Sequence, residues 1–127
     1  MTDAEKGDFI SKVILKVAGD KKRWRAYKAR VRQLPPGYRT AAGAVERYLM
    51  YFVPTGEDSA ASQLEDLADL FEQAAVDGTP IREIVGEDPV EFAEAFARNY
   101  SKGGYVPDRV RKRLTDAIAR AEEEGPR

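Results

Sequence analysis

The apolar residues of this 127-residue chain recur at intervals of three and four along nearly its whole length, and no stretch sustains the period-two alternation of a strand. That periodicity restricts the chain to helices, each with one apolar stripe that has to be buried against another. From about Asp3 to Ala18, Phe9, Ile10, Val13, Ile14 and Val17 share a stripe, with Gly19 as a C-cap. From Asp20 to Leu34, Trp24, Tyr27, Val31 and Leu34 do the same, and Pro35-Pro36-Gly37 ends that helix. Tyr38 to Val53 carries Ala41, Val45, Tyr48, Leu49 and Phe52 and is closed by Pro54-Thr55-Gly56.

Asp58 or Ser59 then caps a segment with Leu64, Leu67, Ala68, Phe71 and Ala75 inward and Gly78 as its stop. Thr79 reads as a cap with Pro80 at the first helical position of a short turn that Gly86 ends. Asp88-Pro89-Val90-Glu91 reads as a capping box opening a helix with Phe92 and Phe96 inward. After Ser101-Lys102-Gly103-Gly104, Asp108 opens a last helix with Val110, Leu114, Ala117, Ile118 and Ala121 on one face, and the tail frays from about residue 122. The expected fold is all-α, a compact bundle of about six short amphipathic helices forming a single domain over residues 1–127. The recurrence of Gly-Glu-Asp at Gly56 and Gly86 is a helix stop followed by a helix start, not a duplication.

Chemistry is narrowed by what the chain lacks. It has neither cysteine nor histidine. That removes disulfides, thiolate metal sites, thiol catalysis, Ser-His-Asp triads and the Glu-x-x-His pairs of a di-iron bundle. No phosphate-cradling glycine loop occurs. The four serines, Ser11, Ser59, Ser62 and Ser101, have no evident base beside them, and Ser59 reads as a cap. The longest apolar run, Tyr48 to Val53, is far short of the ~20 residues that cross a bilayer. Met1-Thr2-Asp3-Ala4-Glu5-Lys6 lacks the features of a secretory signal, so the expected location is the cytoplasm, without membrane insertion. No cofactor or metal is expected, and the protein is read as a non-enzyme.

The near-zero net charge conceals a strong polarity. From Ile10 to Leu34 there are nine cations against Asp20 alone, whereas from Pro54 to Asn99 twelve acids stand against Arg82 and Arg98. Lys21, Lys22, Arg23, Arg25, Lys28, Arg30 and Arg32 are the candidate contact residues for a partner. Lys21, Lys22 and Arg23 conflict with a helix N-terminus, whose dipole disfavours cations by ~0.3–1 kcal/mol each. The conflict disappears if the preceding helix continues through Gly19, or if the cluster meets a partner's anions. The cations could also form a solvated face or pair with the acidic helices of the same bundle. Trp24, inside the basic run, belongs to the core by its spacing with Tyr27 and Val31, although an aromatic there could stack on a base or lie under a cation. Glu65, Asp69 and Glu72 share one helix face, either solvated or able to gather a divalent cation.

The pieces Gly19-Asp20-Lys21-Lys22-Arg23-Trp24, Tyr27-Lys28-Ala29-Arg30-Val31, Leu34-Pro35, Tyr38-Arg39 and Tyr48-Leu49 are followed by Leu67-Ala68-Asp69-Leu70-Phe71-Glu72 and Ala75-Val76-Asp77-Gly78. Val85-Gly86-Glu87-Asp88-Pro89-Val90-Glu91-Phe92 and Val110-Arg111-Lys112-Arg113-Leu114 complete the series. In that order and spacing, from about Gly19 to Ile118, the chain resembles a bacterial family of short, cytoplasmic, all-helical proteins of unknown function. The resemblance implies no established activity and genes that often lie beside PadR-type regulators or transporter components. Such proteins are sometimes labelled "DNA-binding ferritin-like"; without histidine the ferritin half of that label has no ligands here.

The expected function is therefore a helical protein–protein interaction module, accessory to a transcription regulator or transporter, presenting its basic helix to an acidic protein surface. The alternative is a sequence-independent nucleic-acid binder that uses the basic helix 20–34. A homodimer is left open by the sequence.

Overall fold

The computed structural model describes residues 21–52, 59–99 and 108–125. The expected helix from Asp3 to Ala18, the stops at Gly19 and Pro54-Thr55-Gly56, the Asp58 cap and the loop at Ser101 to Gly104 lie outside the described residues. Within them are six helices and no strand, an all-α bundle. Residues 21–32 form α1; then come α2 (Pro36–Leu49), α3 (Ser59–Asp77), α4 (Ile81–Val85), α5 (Pro89–Arg98) and α6 (Asp108–Glu124).

Two prolines in succession separate α1 from α2 and also start α2. Pro35 occupies the N-cap and Pro36 the first helical turn, where a missing N–H costs nothing. Helix α2 therefore begins two residues before Tyr38. The Arg39 guanidinium donates to the Leu34 carbonyl (3.1 Å), tying the two segments together. Left-handed glycines follow α3 and α4, Gly78 at φ 70° and Gly86 at φ 78°. Thr79 is not a cap. Pro80 holds the N-cap position of α4 without a side-chain bond, and the Thr79 carbonyl accepts from the Tyr38 hydroxyl (2.8 Å). The Asp88 carboxylate does cap α5, accepting from the backbone N–H groups of Val90 (3.0 Å) and Glu91 (3.2 Å).

One apolar core draws on all six helices. The stripes read from spacing are the buried ones in α2 and α6, and in α3 from Leu64 to Phe71. In α5 the inward face is Ala93 and Ala97, with Phe92 and Phe96 only partly covered on its flank. Alanine lets α5 approach closely, and the two phenylalanines close the edge of the seam. In α1 the buried residues are Tyr27 and Val31, joined by Leu34 just beyond its end; Trp24 remains 39% exposed.

Helix α2 is central and packs most extensively on α6, with α3, α4 and α5 around it. The two run antiparallel. Gly37 at the start of α2 lies against the end of α6, and Tyr48 near its close lies beside Leu114. The approach at the first end is so tight that a Cβ on Gly37 would sit 2.0 Å from the Gly125 carbonyl oxygen. The expected fraying begins at residue 122, within the described part of α6. Helix α6 runs to Glu124 and Gly125 is buried, because Glu122 accepts from Arg82 (2.7 Å) and Glu124 from the Thr40 hydroxyl (2.9 Å). Among the described residues no helix is long and apolar enough to cross a membrane.

Candidate interaction surface

The seven basic residues singled out along α1 separate into two sets, because a helix presents positions three and four apart on one face. Arg23 and Arg30, seven apart, face α3. Arg23 donates to both oxygens of Glu65 (2.6 and 3.1 Å), and Arg30 to both oxygens of Glu72 (2.6 and 2.9 Å) and to Asp69. These are the three acids whose shared face suggested solvent or a divalent cation. Arginine forks engage these acids, and two planar bidentate pairs align α1 along α3, while Asp69 keeps most of its side chain in solvent. The Arg23 guanidinium holds the Glu65 carboxyl below the usual carboxylate range, and Arg30 does the same to Glu72.

Lys21, Arg25, Lys28 and Arg32, spaced four, three and four apart, form a second ridge, with Lys22 beside it. Only Lys28 of this set reaches a carboxylate among the described residues. Its ammonium donates to both oxygens of Glu46 (3.0 and 2.8 Å), a glutamate of α2 that is almost fully buried. The Lys28 ammonium also lies 4.7 Å from the centre of the Trp24 ring, and that ring stands 5.8 Å from Tyr27. Trp24 is thus a half-exposed lid over the Lys28 stem and not a core residue. The Tyr27 phenol is buried, and that burial, reinforced by the nearby Glu46 charge, keeps it protonated far into alkali. Lys21, Lys22, Arg25 and Arg32 are exposed to solvent.

A different surface lies on the seam of α2 and α6. Ala44, Tyr48, Val110, Leu114 and Ala117 are buried and form the floor of a groove of about 270 Å³; Arg47, Met50, Tyr51 and Arg113 stand exposed around its rim. On α6 the lining residues fall at Val110, Arg113, Leu114 and Ala117, the spacing of one helical face, and Ala44, Arg47 and Tyr48 of α2 share a face too, with Tyr51 in the turn just after it. The floor is held from behind. Glu94 of α5 accepts from the Tyr48 hydroxyl (2.7 Å) and pairs with Arg111 (3.1 Å). Burial first, and Glu94 second, push the Tyr48 phenol above its ordinary range. Arg111 is thereby drawn toward α5 and Lys112 toward Asp116 (2.8 Å), while Arg47 and Arg113 have no carboxylate partner among the described residues. Met50 is 55% and Tyr51 42% exposed, two large apolar side chains side by side at the mouth.

Sequence reasoning missed this groove. Its signal was present in Val110-Arg111-Lys112-Arg113-Leu114, a basic run interrupted at helical spacing by core residues. No periodicity could tell that the opposing stripe on α2 would leave space there.

A family model described as "Protein of unknown function (DUF1048)" matches residues 15–119. The chain belongs to this family. No curated protein and no solved structure is similar to it. The matched span of this DUF1048 member takes in the α1–α3 pairings and the whole floor and rim of the groove.

Proposed function

We propose that this DUF1048 protein is a non-enzymatic protein–protein interaction module whose working surface is the α2/α6 groove. The groove carries the reading: a preformed apolar trough with Met50 and Tyr51 exposed at its mouth, on a bundle whose other apolar stripes are buried in one core. Apolar floors with arginine and tyrosine at the edge have the composition of recognition surfaces. The module acts in the cytoplasm as an accessory to a transcription regulator or a transporter component, the role suggested by its family resemblance. The decisive experiment places a photo-reactive benzoyl-phenylalanine at Tyr51, or at the still more exposed Val76 on α3 as a control, in cells expressing the protein. A discrete covalent adduct at position 51 that is absent at position 76 is expected. Equal labelling at both positions, or none at 51, overturns the reading.

A second reading, sequence-independent nucleic-acid binding through α1, keeps one observation in its favour: Lys21, Arg25 and Arg32 stand on one exposed ridge. Titrating duplex DNA while following Trp24 emission tests it. Tight binding near physiological salt with a steep salt slope establishes it, and binding confined to low salt eliminates it.

A further inference from the structure

We infer that the occupant of the α2/α6 groove is an amphipathic helix whose apolar face is flanked by carboxylates, supplied by a partner protein; the inference rests on the interaction-module reading and specifies the chemistry of its partner. The groove is built by two antiparallel helices that each contribute residues at helical spacing, so its long direction follows the seam. A third helix laid along it sets its own apolar positions at the same intervals. At about 270 Å³ it accepts a few apolar side chains, and it lies near the lower end of the range for small-molecule sites.

Charge selects among helices. Arg47 on α2 and Arg113 on α6 have no carboxylate partner among the described residues, and unlike Lys21, Lys22, Arg25 and Arg32, which have none either, they border the apolar floor. A cation-bearing helix would bring its charges against these two guanidiniums beside a low-dielectric floor, which is repulsive; a carboxylate-bearing one would close two new charge-assisted hydrogen bonds. Duplex nucleic acid supplies anions but no apolar ridge for Tyr51 and Met50, and for that reason the groove favours protein over phosphate backbone.

The test uses the full chain and synthetic helices of about 20 residues, long enough to be helical. One carries leucine on one face with flanking glutamates, and a second replaces those glutamates by lysine. Binding is followed by fluorescence anisotropy, and the site is mapped by backbone amide shifts. The glutamate helix is expected to bind with shifts confined to α2 and α6. The double substitution Arg47→Glu with Arg113→Glu is expected to weaken it about tenfold or more and to improve binding of the lysine helix. Both arginines are exposed and have no carboxylate partner among the described residues, so the melting temperature of that variant should stay near the parent's and report an intact fold. Equal binding of the two helices, or binding of neither, overturns the acidic occupant. So does a salt-insensitive homodimer that covers Tyr51. In each of these cases an adduct at position 51 with some other protein would still leave the interaction-module reading standing.

Discussion

Gly37→Ala inverts the usual effect of filling a helical glycine. In an unconstrained helix the change is favourable by roughly 0.5–1 kcal/mol, because alanine loses less backbone entropy on folding. Here the new methyl would lie 2.0 Å from the Gly125 carbonyl oxygen and 2.9 Å from that of Ala121, both backbone atoms that no side-chain rotation can move. Relief requires the end of α6 to retreat from α2 by about an ångström, loosening Ala121, the Thr40–Glu124 hydrogen bonds and the Arg82–Glu122 pair. Overpacking of this kind costs about 1–3 kcal/mol, which outweighs the propensity gain and leaves a net loss of about 1–2 kcal/mol. Gly43→Ala is the internal control. It lies in the same helix, and its Cβ would meet only the end of the Arg47 side chain at 3.5 Å, so the full propensity gain should appear. By thermal melting the two variants should move in opposite directions, by roughly 3–6 °C per kcal/mol for a chain of this size, with the larger shift in Gly37→Ala. Hydrogen exchange should accelerate in residues 117–125 of Gly37→Ala alone. A Gly37→Ala protein as stable as Gly43→Ala would refute the close approach and, with it, the docked end of α6.

Lys28→Met keeps the stem that lies under Trp24 and removes the ammonium, leaving the buried Glu46 carboxylate without its donor. A loss of about 1–3 kcal/mol in urea unfolding is expected, and Lys28→Met combined with Glu46→Gln should recover much of it. The α1–α3 pairs set an acid limit. Glu65 and Glu72 have folded pKa values lowered by Arg23 and Arg30, so their contribution is complete above the unfolded carboxylate value of about 4.3 and is lost as pH falls through the folded one. The groups are partly exposed, so about 0.5–1 kcal/mol per pair is at stake. Glu65→Gln with Glu72→Gln should therefore flatten the decline in the urea midpoint between about pH 5 and pH 3 relative to the parent. An unchanged slope contradicts the assignment. Asp88→Ala removes two bonds to the first turn of α5 and should cost about 1 kcal/mol, with Asp88→Asn close to neutral in a denaturant melt.

The helices were legible because their signals are local. Proline at the start of α2, glycine after α3 and α4, Asp88 before α5 and apolar residues at three and four act through a handful of neighbouring backbone groups. Where the reading went wrong, the cause was a neighbour in space. Trp24 shares a spacing with Tyr27 and Val31, yet it lies at the edge of the core beside Lys28, and a periodic pattern does not say where a core ends. Phe92 and Phe96 are the largest residues of α5, but the seam admits only Ala93 and Ala97. Glu122 and Glu124 belong to a stretch that resembles a polar tail, and they accept from Arg82 and Thr40, some forty and eighty positions away.

Charge shows the division most clearly. The sequence by itself determined that the protein is helical, that it has no imidazole or thiolate to bring to a reaction, and that a basic block precedes an acidic one. These follow from composition and from interactions within a few residues. Only the tertiary structure decided what the charges do. Coulomb attraction depends on separation in space: Arg23 reaches Glu65 and Arg30 reaches Glu72 across forty-two positions, so much of the apparent polarity is spent inside the bundle. Two arginines with no place in either block, Arg47 and Arg113, are left facing solvent over an apolar floor, because small residues at one end of the α2/α6 seam let the helices meet and larger ones at the other hold a groove open.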